Sequence, residues 1–118
     1  MAAKPRRVQL SRAKGWRMPA NTVKVDRTTL FGNPFSIKDY GHDQAVALHR
    51  AWITGGHTDQ RLRRLPATTL RSLERKREEV LAALPGLRGK NLACWCRLPE
   101  PGQPDSCHAA TLVELANA

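Results

Sequence analysis

The chain has no apolar run near the roughly 20 residues that a bilayer-spanning helix needs, and its basic start is not followed by the apolar core of a signal peptide. A membrane role is set aside on that ground, and the cytoplasm is the expected location. Acidic side chains are scarce: 10 Asp and Glu stand against 20 Lys and Arg, a net charge of +10. Met1 to Val25 has no acidic residue and seven basic ones, Lys4, Arg6, Arg7, Arg12, Lys14, Arg17 and Lys24. Such an excess favours anionic partners without naming the anion. Cysteine is sparse and odd in number, at three, which argues against a disulfide scaffold and for reduced thiols. No internal repeat or low-complexity tract is present.

What remains suits one domain over residues 1–118, since single cores are commonest at about 100 to 150 residues. Residues 1–5 are expected to fray. Arg6 to Arg12 alternates outward polar residues with Val8 and Leu10, and "TVKVDRT" does the same with Val23 and Val25, the period of two that a strand requires. Asp43 reads as the N-cap of a first helix through Ala45, Val46, His49, Trp52 and Ile53, stopped by Gly55 and Gly56. A second helical region spans Asp59 to Leu84, restarted at Pro66. Leu70, Leu73, Val80, Leu81 and Leu84 form its apolar stripe, and "ERKREE" is its wet face. "KNLACWC" reads as a central strand with Cys94 and Cys96 on one side and Trp95 packed opposite against a helix. The final helix is capped by Asp105 or Ser106. The order predicts a small α/β domain: a short mixed or parallel sheet of about three or more strands, flanked by helices. Three prolines and a glycine between Arg97 and Asp105 predict an exposed, mobile loop.

Chemistry concentrates in two places. "NLACWCRLPEPGQPDSCHAATL" holds every cysteine and His108. Cys94, Cys96, Cys107 and His108 are zinc ligands by type, but the reading is not favoured, because paired zinc ligands usually stand about two to four residues apart and adjacent Cys107 and His108 would point in divergent directions on a helix. The same residues also read as a reactive pocket, with His108 as acid, base or anion donor and Cys107 or Cys96 as nucleophile. The plain alternative is packing, because free cysteine is commonly buried. The second place is "FGNPF", where Gly32 permits close backbone approach and Asn33 offers donor and acceptor; its plain alternative is a turn. Arg27 is the candidate phosphate holder. His42, His49 and His57 read as a cap, a helix face and a loop.

The segments "RVQLSRAKGWRMPANTVKVDRTTLFGNPF", "LRGKNLACWC" and "CHAATLVELAN" together resemble the domain-of-unknown-function 4326 family, small proteins of bacteria and their phages. The resemblance runs from about Arg6 to Asn117. It implies no activity. Members share the Gly32 to Phe35 loop, the Cys94 to Cys96 strand and the Cys107-His108 pair. Against that pattern "RLPEPGQPDS" looks like an insertion, and Ala110 stands where an acidic residue is common.

Two functions follow as expectations. One is a domain that binds or acts on a phosphorylated or nucleotide-like molecule at a strand-end pocket, with the Gly32 to Phe35 loop beside His108. The other is a non-catalytic nucleic-acid-binding module, with or without structural zinc, using Arg6, Arg7, Arg12 and Arg17 on phosphates and Trp16 for stacking. Weak, salt-sensitive nucleic-acid binding is expected in either case.

Overall fold

The computed structural model describes residues 4–55 and 60–118. Gly56, His57 and Asp59, and residues 1–3 of the segment expected to fray, lie outside the described residues. Three short strands, β1 (Arg7–Gln9), β2 (Thr22–Lys24) and β3 (Asn91–Cys94), form one parallel sheet in the order β1-β3-β2. Val8 and Val23 pair with Ala93 and Leu92 of β3. Each outer strand gains one more bond at its far end, Leu10 N–H to Cys94 O and Val25 N–H to Ala93 O. β3 is therefore central, and its carboxyl end is gripped from both sides.

Helices α1 (Ile37–Tyr40), α2 (His42–Gly55), α3 (Gln60–Arg63) and α4 (Ala67–Ala83), then a 3-10 turn at Leu84–Leu87, connect β2 to β3. Helix α5 (His108–Ala116) closes the chain. In α2 the buried residues are Ala45, Leu48, His49, Trp52 and Ile53, which recur at three and four and so make one stripe. They pack with Leu92, Cys94, Ala109 and Leu112 into the main core. The opposite sheet face is a smaller cluster of Val8, Leu10 and Ala93, covered by half-buried Trp16.

Four expectations are corrected. The first helix begins at Ile37, where Ser36 Oγ accepts the Asp39 N–H, and Asp43 lies inside the first turn of α2 rather than capping it. Neither Asp105 nor Ser106 caps α5. Cys107 is its N-cap, because Asp105 is drawn to Arg7 and the Ser106 hydroxyl donates to Asp43. Of the α4 stripe only Val80 is fully buried within the helix, with Leu70, Leu73 and Leu81 half-covered. Trp95 is 42% exposed; β3 ends at Cys94, so strand alternation no longer governs the next side chain.

Among the described residues no helix is long and apolar enough to cross a membrane. Residues 97–104 are exposed and lack regular structure. The segment is tied at its ends: the Arg7 guanidinium donates to Cys96 O, Arg97 O and Asp105, and Leu98 N–H donates to Gln9 Oε1.

Candidate functional site

The sheet brings the carboxyl ends of β2 and β3 together, and α5 starts beside them. A cavity of about 270 Å³ opens there, lined by the segment after β2 (Asp26, Arg27, Thr28, Asn33), by Ile37, His42, Ala45 and Val46, and by Cys94, Trp95, Cys96 and His108. In a parallel sheet this edge is where strand carbonyls end and helix N–H groups point, the usual location of ligands. Asn33 and His108, 75 positions apart in the chain, thus line one cavity.

The loop before α1 is built from its own hydrogen bonds. Asn33 is buried; its Nδ2 donates to Ala45 O at 3.0 Å and its Oδ1 accepts the Phe35 N–H at 2.9 Å. One end of the amide therefore ties the loop to α2, and the other closes the loop on itself. Arg27 donates to Asn33 O and Phe35 O, each at 3.0 Å, so two of its five donors fix the same loop. Gly32 does not line the cavity. A Cβ there would stand 2.6 Å from Arg27 Cα and 2.7 Å from Asp26 O, so the close approach that glycine permits is to the chain's own backbone.

Asp26 is the residue that sequence reasoning passed over, since a lone carboxylate after a strand looks like turn chemistry. It is buried, and its oxygens accept Thr28 N–H, the Thr28 hydroxyl and Trp95 Nε1–H. Burial works against its charge, but the Thr28 and Trp95 hydrogen bonds outweigh it and hold the carboxyl below its ordinary value. Asp26 also orients the Trp95 ring, over which the Arg12 guanidinium sits 4.8 Å from the centroid. His42 was read as a cap; its Nε2 contacts Ser106 O and its side chain lines the cavity.

Beside the cavity lies the thiol cluster, two of whose members, Cys94 and Cys96, line it. The three sulfurs of Cys94, Cys96 and Cys107 all lie within 4.8 Å of one another. Cys107, in extended conformation at φ −147° and ψ 143°, is not yet helical. Its side chain therefore need not diverge from that of His108, and its sulfur lies 3.7 Å from His108 Nδ1. His108 Nε2 lies 2.6 Å from Val25 O, which can only accept, so that nitrogen carries the proton and Nδ1 is left with its lone pair. The bonds to Cys107 and Cys96 lower the Cys94 thiol from its ordinary value. Cys107 is pushed up by its bonds to Cys94 and Cys96 and by burial. Cys96 receives help from Cys107, but its bond to Cys94 and its burial prevail, and it too is pushed up. Cys94 and Cys96 line the cavity, whereas Cys107 lies off its wall.

His49 stands behind His108, ring centroids 5.3 Å apart and nearly perpendicular. Burial, with smaller contributions from His108 and Lys76, lowers its pKa to about 3, and among the described residues its Nδ1 has no hydrogen-bond partner. It is a neutral core side chain.

The basic stretch is not brought to this site as a whole. Arg6, Arg12 and Arg17 are exposed, and Trp16 rests on the far sheet face. Arg7 is withdrawn from the surface set: its side chain is 4% exposed and paired with Asp105.

The model of a family described as a domain of unknown function, DUF4326, matches residues 8–118. No curated protein and no solved structure matches the chain.

Proposed function

Since the chain belongs to the DUF4326 family of domains of unknown function, we propose from the site itself that it binds, and is built to act on, a phosphorylated or nucleotide-like small molecule in the strand-end cavity. The observation that carries this reading is the convergence of the Asn33 loop, Arg27, Trp95 and His108 on one cavity. Its roughly 270 Å³ lies just below the range of about 300–1,000 Å³ for ligand sites, which limits the occupant to a small molecule and excludes a dinucleotide. Ile37, Ala45, Val46 and the Trp95 face supply an apolar seat for a ring. The Arg27 guanidinium on the cavity wall and the start of α5 beside it favour an anionic group. Cys94 and His108 also stand on the cavity wall.

The test is a thermal-shift and calorimetric titration with nucleoside 5′-monophosphates, the matching nucleosides and inorganic phosphate. The reading expects a phosphorylated probe to raise the melting temperature, and Ile37→Trp, at a half-exposed position on the cavity wall, to abolish the effect. If no phosphorylated probe binds, the reading fails.

A second reading rests on Arg12 stacked over exposed Trp95, which joins the basic segment to the cavity mouth. Nucleic-acid binding that Arg6, Arg12 and Arg17 charge reversal destroys and Ile37→Trp leaves intact would favour it.

A further inference from the structure

We propose that Cys94, Cys96 and Cys107 bind one zinc ion, with His108 Nδ1 at its fourth side. Packing alone explains these cysteines poorly, since Cys96 is only half-buried and the three come from two separate segments that meet at the end of β3. Tetrahedral zinc with bonds near 2.3 Å to sulfur and 2.0 Å to nitrogen sets ligand sulfurs about 3.8 Å apart and sulfur and nitrogen about 3.6 Å apart. Cys94 and Cys96 sulfurs are 3.9 Å apart, and Cys107 sulfur is 3.7 Å from His108 Nδ1. The remaining sulfur–sulfur separations lie within 4.8 Å.

The surroundings supply what a ligating histidine requires. His108 spends its Nε2–H on a backbone carbonyl, which fixes the tautomer that leaves Nδ1 free. Arg7 donates to the Cys96 carbonyl and so holds the third sulfur's backbone in place. The donor set also selects the metal. Three thiolates and an imidazole are soft for calcium or magnesium, and a cubane iron–sulfur cluster calls for four cysteines where the chain has three. The extended Cys107 removes the objection that adjacent ligands must diverge. Because Cys94 and Cys96 also line the cavity, the ion would form part of its wall, yet its binding does not depend on any small-molecule ligand.

The full chain, purified and reduced, is loaded with Zn²⁺, freed of excess by gel filtration and assayed for metal; a second sample is loaded with Co²⁺ and its absorption recorded. One zinc per chain is expected, together with the near-ultraviolet band of thiolate-bound cobalt. Cys96→Ser removes a half-exposed ligand, so the variant should fold, show a weaker cobalt band and bind zinc at least ~10-fold more weakly, the lower bound for losing even an outer partner of a metal site. Folded, reduced wild-type protein that retains no metal overturns the proposal. So does bound metal without the thiolate band, or with a band and affinity unchanged in Cys96→Ser, since the ion would then lie elsewhere. Zinc-free protein titrated with nucleoside 5′-monophosphates reads the ligand proposal separately.

Discussion

Arg6 and Arg7 are neighbours in a basic run, and the structure treats them in opposite ways. Arg6 is exposed, whereas Arg7 is buried against Asp105 and two carbonyls at the end of β3. The contrast extends to the regions they stand for. The N-terminal stretch offers charge at the surface with little fixed geometry, and the strand-end site offers few charges whose partners are set by hydrogen bonds. Charge density in a sequence locates the first kind of region; the second is visible only once segments from four parts of the chain have met.

The largest expected break of that comparison is Arg7→Ala against Arg6→Ala. Removing Arg7 leaves Asp105, whose side chain is 18% exposed, without its counter-charge, a change that approaches the roughly 3–5 kcal/mol of breaking a buried pair. Arg6→Ala should stay within about 0.5 kcal/mol. Urea unfolding of the two variants measures the difference. Next comes Asn33→Ala, which strips partners from the buried Ala45 carbonyl and Phe35 N–H; at roughly 1–3 kcal/mol for leaving a buried group unsatisfied, a loss of that order or above is expected.

His49 supplies a pH test. Its folded pKa, about 3, lies below the ordinary 6.5, so the unfolded chain takes up a proton that the folded chain refuses. Stability from this group is complete above about pH 6.5 and falls toward pH 3, by up to about 1.4 kcal/mol per pH unit. His108 and Lys76 face it and add to its reluctance to charge. His49→Gln should flatten the slope of unfolding free energy between about pH 3 and 6.5 by close to one proton. A smaller effect is expected from deleting about five residues between Pro99 and Gln103, under ~1 kcal/mol, because loop length enters stability only logarithmically and the Arg7 clamp lies outside the deletion.

How much could be read beforehand depended on the range of the interactions involved. The three strands and the α2 stripe follow from local period, and each was legible in Val8, Leu10, Val23, Leu92 and the spacing of Ala45 to Ile53. The caps were not. Asp105 and Ser106 are good local caps, but Arg7 and Asp43 lie 98 and 63 positions away and claim them. Trp95 was misplaced because nothing in "CWC" says that the strand stops at Cys94. The site showed itself in part: the cysteines, His108 and the Asn33 loop stood out by type, whereas Asp26 and the neutral His49 acquire their meaning from Trp95 and His108, which only the fold brings to them.

The central claim is that ligand chemistry belongs to the strand-end cavity and not to the basic face, and three tryptophans report on it from three places. Trp95 Nε1–H donates to Asp26 in the cavity wall, Trp52 Nε1–H donates to Leu73 O in the core, and Trp16 lies on the far sheet face. In a nitrogen-15 NMR titration with a nucleoside 5′-monophosphate, the account predicts that the Trp95 indole resonance moves saturably while those of Trp16 and Trp52 stay in place. A Trp16 resonance that moves while Trp95 does not would contradict it.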